Sequence, residues 1–275
     1  MTADAWLTNH PYLQGVADLH AIVERSVSSI SPANATALTL DDYRDDFLRG
    51  VPLLHSSAIV IDWTPVEKSI QAIVGNLASS LLSGKLTEEV RTLCAELRSD
   101  PCAPHHIVAW LLLQDDFVFS CPGLLRYLGW AAMSRYLHPV TDAFDRWRNE
   151  DQWFRSYCPT CGSSPAMAQL IGVDQGRCRL LCCGCCGTRW QYRRSRCPFC
   201  ENVEDDRLGV LVVEGEGGLR IDYCKSCEGY LKTYAGEGNE AVLLADWTSI
   251  HFDVIACDRG LKRLAASLYE LNLNF

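Results

Sequence analysis

Along residues 1 to about 150, apolar residues recur at three- and four-residue steps with few alternating stretches, and this spacing predicts helices. The run Ile107-Val108-Ala109-Trp110-Leu111-Leu112-Leu113 is apolar on most sides and predicts a buried helix over about 106–119. Pro104 just ahead of it suits a helix start. After Pro122-Gly123, the residues Leu124, Leu125, Tyr127, Leu128, Trp130, Ala131, Met133, Tyr136 and Leu137 form a stripe that predicts a helix up to Pro139. Thr87-Glu88-Glu89-Val90 reads as the acidic first turn of a shorter helix. Further helices are expected over 41–50 and over 65–82, the second with Thr64 as N-cap and Pro65 in its first turn.

At Tyr157 the pattern changes to cysteine pairs, glycines and short β-rich runs. Gln169 to Val173, then Asp174-Gln175-Gly176, then Arg177 to Leu181 read as strand, turn, strand. Gly209 to Val213, a glycine-rich turn over 214–218, and Leu219 to Tyr223 repeat the arrangement. Helix is expected again over about 240–271. The main boundary falls near residue 152. The expected division is a helical domain over 1–152, cysteine modules over 153–192 and 193–236, and a C-terminal helical segment over 237–275.

No stretch of 18 apolar residues occurs, so no membrane-spanning helix is expected. The N-terminal residues lack a basic segment followed by an apolar run, which makes the cytoplasm the expected compartment. The net charge is −9, and no segment carries a marked basic excess. A nucleic-acid-binding domain must neutralise phosphates, so this balance weighs against nucleic acid as a partner.

Fifteen cysteines change the picture, because eleven of them lie between Tyr157 and Glu228. In a reducing compartment such a cluster favours metal ligation over disulfides. Four Cys-x-x-Cys pairs occur in order: Cys158/Cys161, Cys183/Cys186, Cys197/Cys200 and Cys224/Cys227. In such a turn two thiolates reach one metal, while following backbone amides face the sulfurs. Glycine after the second cysteine eases the turn, and Gly162 and Gly187 stand there. Four thiolates complete one tetrahedral site, so four pairs imply two metal ions per chain. Each interval between neighbouring pairs holds one hairpin, which returns the chain to its start. Neighbour pairing puts Cys158, Cys161, Cys183 and Cys186 in one site and Cys197, Cys200, Cys224 and Cys227 in the other. Interleaved pairing is the alternative, and Cys182/Cys185 offers a second register for the first site. Thiolate donors suit zinc or iron alike. A site closed by four protein ligands argues against metal-assisted hydrolysis and for structure or, with iron, electron transfer.

Several segments, in one order, resemble the formate dehydrogenase accessory proteins, the FdhE family. They are Tyr157-Cys-Pro-Thr-Cys-Gly-Ser-Ser-Pro165, Cys183-Gly-Cys-Cys-Gly-Thr-Arg-Trp190, Arg196-Cys-Pro-Phe-Cys-Glu-Asn202, Tyr223-Cys-Lys-Ser-Cys-Glu-Gly-Tyr-Leu-Lys232 and Ala245-Asp-Trp-Thr-Ser-Ile-His-Phe-Asp253. The resemblance implies an α+β multidomain protein: an N-terminal all-α domain, two tandem rubredoxin-like (zinc-ribbon-like) metal modules and a C-terminal helix. It implies a cytoplasmic maturation factor, not an enzyme, that contacts the catalytic subunit of a respiratory formate dehydrogenase. Iron binding is associated with the family. Self-association into a homo-oligomer is left open. A rubredoxin-like electron carrier and a nucleic-acid-binding zinc ribbon are the rival readings.

The remaining chemistry-bearing residues have plainer readings. Trp190 is expected in the core beside the first site. Arg189, Arg193, Arg194 and Arg196 form a basic run, either a solvated face or a contact for an acidic partner surface. Cys94, Cys102, Cys121, Cys178 and Cys257 are expected to pack as small apolar groups, and Cys182 and Cys185 to pack or stand as exposed thiols unless they serve redox or ligand roles. Asp246 and Asp253, seven residues apart, would share one helix face and either cap, contact a partner, stand solvated or bridge domains.

Overall fold

A computed structural model of the chain describes residues 1–35, 38–79, 85–100, 102–172 and 176–268. The helices are α1 (Ala3–Asn9), α2 (Gln14–Val27), α3 (Arg44–Arg49), α4 (Thr64–Ala78), α5 (Lys85–Ser99), α6 (Ala103–Leu111), α7 (Pro122–Trp147), α8 (Glu240–Leu243) and α9 (Ile250–Asp258). The strands are β1 (Met167–Ile171), β2 (Cys178–Cys182), β3 (Arg189–Tyr192), β4 (Leu208–Val212), β5 (Leu219–Cys224) and β6 (Tyr230–Ala235). They divide between two compact units. Residues 14–43 and 54–147 form most of one, and residues 1–13, 44–53 and 148–267 form the other.

The first unit is helical. Val66, Ile70, Ile73, Val74 and Leu77 give α4 one apolar stripe, all of it buried. In α7, Leu125, Leu128, Met133, Leu137 and Phe144 are fully buried. Burying each such side chain is worth about 1.5–3 kcal/mol. The stripe of α7 was expected to stop at Pro139, but the helix runs on to Trp147. Pro139 removes one backbone donor. Beyond it Val140, Thr141 and Phe144 are buried, and their packing keeps the last turns helical. The expected helix over 106–119 instead occupies Ala103–Leu111, and Leu113 beyond it takes a left-handed backbone, φ 60°. In the other unit, helix was expected over 41–50 and forms at Arg44–Arg49. Thr64 is the first residue of α4 rather than its N-cap. Trp63 stands at the cap without a side-chain bond, and Asp62 Oδ1 accepts the Thr64 N–H at 3.0 Å.

The second unit is built on one six-stranded sheet, in the order β3-β2-β1-β6-β5-β4. Each cysteine module contributes an antiparallel three-stranded meander, β1-β2-β3 and β4-β5-β6. The meanders join through the parallel pair β1 and β6, with Met167 opposite Lys232 and Leu170 opposite Ala235. The two modules therefore share one continuous sheet. Strands β3 and β6 were not expected from the sequence. In β6, Tyr230 to Tyr234 are all buried. A core of Trp6, Met167, Cys182, Ile221, Tyr234, Leu243 and Phe252 packs within this unit.

The C-terminal segment is helical only in part. A 3-10 turn at Asp246–Ser249 leads into α9, which ends at Asp258. Gly260 takes φ 73°, its N–H bonds the Cys257 carbonyl at 2.9 Å, and the Leu261 N–H bonds the Ala256 carbonyl at 3.0 Å. This paired arrangement with a left-handed glycine closes a helix. Lys262 then bridges to Gly229. The helix expected over 240–271 therefore stops early, and residues 269–271 lie outside the described residues. So do the end of the expected 65–82 helix, residue 173 of the expected strand and residues 174 and 175 of the expected turn.

Candidate metal centres

Four turns carry the cysteine pairs, and all four close in the same way. The N–H of the first cysteine bonds the carbonyl five residues on: Cys158 to Ser163, Cys183 to Thr188, Cys197 to Asn202 and Cys224 to Gly229, each at 2.9 Å. The residue after the second cysteine has positive φ in every turn: 76° at Gly162, 77° at Gly187, 61° at Glu201 and 59° at Glu228. Glycine reaches that region without strain, whereas a side chain there costs about 1–2 kcal/mol.

The strands then bring the turns together. Cys158, Cys161, Cys183 and Cys186 form one quartet, and Cys197, Cys200, Cys224 and Cys227 form the other. In each, all four Sγ atoms lie within 4.8 Å of one another. In the first, Cys158 faces Cys186 and Cys161 faces Cys183, both at 3.5 Å between sulfurs. In the second, Cys197 and Cys227 are 3.8 Å apart, and Cys200 and Cys224 are 3.7 Å apart. A tetrahedral ion with metal–sulfur bonds of about 2.3 Å sets its sulfurs about 3.8 Å apart. The donor set and spacing fit a tetrahedral thiolate site, so the two quartets can hold two metal ions. The quartets follow neighbour pairing, in the register of Cys183/Cys186.

The two quartets differ in their surroundings. All four cysteines of the first are buried. Its two turns are tied by the hydroxyls of Thr160 and Thr188, 2.7 Å apart, and Thr188 Oγ1 also lies 3.3 Å from Cys186 Sγ. Burial pushes the Cys161 thiol well above the ordinary range, so thiolates gathered here need a cation beside them. In the second quartet Cys200 is exposed and Cys227 half-buried. Burial acts upward on Cys224, but the backbone N–H groups of Cys227 and Ser226, together with hydrogen bonds from Cys200 and Cys197, outweigh it and bring that thiol down to about 7. The Phe199 N–H bonds Cys197 Sγ at 3.4 Å.

Cys182 joins neither quartet. It is buried in the sheet's apolar core, and burial pushes its thiol up to about 12. Cys94, Cys121 and Cys178 are half-buried, whereas Cys102 and Cys257, expected to pack inside, are exposed. Trp190 is fully buried and donates its indole N–H to the Arg155 carbonyl at 2.9 Å. Of the basic run, Arg189 bonds Gln169 Oε1 at 2.9 Å, while Arg193 and Arg194 are exposed. They border a groove of about 790 Å³ that is also lined by Phe154, Tyr192, Phe199 and Arg220.

Sequence reasoning missed the surroundings of Asp246 and Asp253. Both carboxylates converge on Lys232, whose Nζ is 2.6 Å from Asp246 Oδ1 and 2.9 Å from Asp253 Oδ2. Arg263 reaches the same two carboxylates at 2.8 and 2.9 Å. The two aspartates thus join strand, 3-10 turn, helix and tail in one buried network.

The fold and these quartets define a class: an α+β protein with two four-cysteine, zinc-ribbon-like modules and a helical unit. No family model matches the chain. An FdhE homologue from Aquifex aeolicus is 34% identical over 134 residues, covering 47% of each chain. Another, from Pseudomonas aeruginosa, is 35% identical over 172 residues, covering 58% of this chain and 54% of the relative. The crystal structure of the FdhE protein from Pseudomonas aeruginosa shares the fold, with a TM-score of 0.61 over 95% of this chain and 89% of that one, at 21% identity. The chain thus resembles FdhE proteins in sequence over about half its length and shares the fold of one of them. It spans about half the length of the curated relatives it matches. Among the described residues, no helix is long and apolar enough to cross a membrane.

Proposed function

We propose that this chain is a maturation factor for a respiratory formate dehydrogenase, contacting the enzyme's catalytic subunit in the cytoplasm without catalysing a reaction of its own. The observation that carries the reading is the pair of sulfur quartets on one sheet, in a chain that resembles the FdhE proteins. The eight cysteines of the quartets act as the ligands of two ions, iron or zinc. Four thiolates close each site, so the ions stabilise the module rather than activate a substrate. The continuous sheet presents a groove bordered by the exposed guanidinium groups of Arg193 and Arg194, with Phe154 and Phe199 beside them. Charge and apolar area together suit an acidic, partly apolar surface on a protein partner. The net charge of −9 disfavours nucleic acid as the partner.

The test is co-purification. The metal-loaded chain should retain the catalytic subunit of the host's formate dehydrogenase, and an Arg193→Glu/Arg194→Glu variant should retain much less while keeping both ions. A strain lacking the chain should lose formate dehydrogenase activity. No association, together with normal activity in that strain, would overturn the reading.

A further inference from the structure

A third cluster of ligating side chains lies in the same unit, away from cysteine. His10 follows α1, Glu216 stands in the turn between β4 and β5, and His251 is the second residue of α9. Glu216 Oε2 is 3.1 Å from His10 Nε2 and 3.0 Å from His251 Nε2. The three ligand atoms all lie within 4.8 Å of one another. None of the side chains is more than 14% exposed.

The surroundings fix this cluster before any ion arrives. Trp6 stacks on the His10 ring at 3.9 Å between centroids, and Tyr12 sets its edge against both imidazoles at 5.8 and 5.6 Å. The Trp6 indole N–H bonds the Thr248 carbonyl at 2.9 Å, which ties α1 to the turn before α9. Gly215, Gly217 and Gly218, all with positive φ, shape the turn that carries Glu216.

Hydrogen bonding assigns the two nitrogens of His10, whereas His251 Nδ1 is buried with no hydrogen-bond partner among the described residues. His10 Nδ1 lies 2.9 Å from the Trp6 carbonyl, an acceptor, so Nδ1 carries a proton. In the neutral ring Nε2 then presents a lone pair, and that lone pair faces a carboxylate oxygen. Two electron-rich atoms 3.1 Å apart in a mostly buried place are held together by a proton or by a metal cation. A backbone carbonyl holding the distal N–H of an imidazole is the usual support of a metal-ligating histidine. Bonds of about 2.1 Å to nitrogen and oxygen put neighbouring ligand atoms about 3.0 Å apart at right angles and about 3.4 Å apart in a tetrahedron. The observed separations lie at the lower end of that range.

We propose that His10, Glu216 and His251 form a third metal site, taking one divalent first-row cation of the zinc class through two imidazole nitrogens and one carboxylate oxygen. It differs in kind from the quartets. Three protein ligands leave a position for water or for an incoming donor group, and borderline nitrogen and oxygen donors replace soft thiolates. The site stands independently of the maturation role.

The test uses the full chain with both quartets filled by zinc. Cobalt(II) is added and followed by absorption and by metal analysis after desalting. One further equivalent should bind stoichiometrically at micromolar concentration, giving weak d–d bands without the thiolate charge-transfer absorption that cobalt in a quartet would show. Glu216→Gln keeps the size and hydrogen bonding of the side chain, and His251→Ala removes one ligand. Each should weaken the third equivalent at least about tenfold, with two zinc ions and the far-ultraviolet circular dichroism unchanged. Uptake that stops at two ions in the unaltered chain overturns the proposal and leaves a protonated His–Glu–His cluster in its place. A third equivalent that binds equally well to both variants also overturns it, because the ion then sits elsewhere.

Discussion

Gly162 and Glu201 occupy the same place in their turns, one residue past the second cysteine, and share a left-handed backbone with φ 76° and 61°. The hydrogen-bond pattern of the turn demands that conformation whichever residue stands there. Glu201 therefore carries strain that Gly162 does not. Replacing Glu201 with glycine should stabilise the metal-loaded chain by about 0.5–1 kcal/mol, after the greater freedom of glycine in the unfolded chain is counted. The converse is cleaner at Gly187, where an added Cβ would meet nothing within 4 Å and only φ stands against it. Gly187→Ala should cost about 1 kcal/mol. Thermal midpoints of the two variants should move in opposite directions; movement in the same direction would refute the strain argument.

The unequal exposure of the quartets predicts unequal hold on their ions. A chelator can approach a metal beside the exposed Cys200 and half-buried Cys227, whereas the other quartet is buried on all four ligands. Metal release to excess chelator should be biphasic, one ion leaving at least about tenfold before the other, because local opening costs less where burial is lower. Replacing Cys224 and Cys227 with serine should abolish the fast phase, leaving one slowly released ion per chain. Loss of both ions from a variant that stays folded would contradict two separate sites.

The cysteine pairs, the hairpins between them and the neighbour pairing were legible in the sequence, because a two-residue gap and a hairpin are local and have few geometric solutions. The parallel joining of β1 to β6 was not, since Met167 and Lys232 meet only through the sheet. What holds Lys232 inward is a pair of carboxylates 14 and 21 residues away. The His10–Glu216 contact spans 206 residues, and no spacing rule reaches that far. Pro139 misled in the other direction. A local breaker signal yielded to tertiary burial of Val140 and Phe144.

Thiol reactivity should separate the roles of the remaining cysteines. Cys102 and Cys257 are exposed, while Cys182 is buried with its thiol raised to about 12 by desolvation, against a smaller opposing pull from Arg189. The thiolate is the nucleophile, so Cys182 should be inert. Brief iodoacetamide treatment of the metal-loaded chain should label Cys102 and Cys257 and spare Cys182, as read by peptide mass spectrometry. Labelling of Cys182 at a rate comparable to Cys257 would show it to be an accessible thiol and reopen a redox role for it.

Lys232 is 1% exposed and draws its partners from Asp246, Asp253 and the carbonyls of Asp246 and Ser249. Removing one side of a buried ion pair strands the other, at a cost of about 3–5 kcal/mol. Lys232→Ala should therefore be strongly destabilising, with Arg263 left to hold both carboxylates. The same network predicts a pH signature. Burial alone would raise the Asp246 carboxyl, but Lys232 and Arg263 overcome it and hold it well below the usual range. A carboxylate depressed on folding contributes stability that is complete above its unfolded pKa, about 4, and fades as pH falls below it. The unaltered chain should thus exceed Asp246→Asn in thermal midpoint near neutrality, and the gap should narrow as pH falls through about 4 toward 3. Thiolate protonation and metal loss act on both chains, so the comparison is confined to the pH range in which both keep their bound metal. A gap that stays constant across this range would mean that Asp246 contributes by packing and hydrogen bonding, not by its charge.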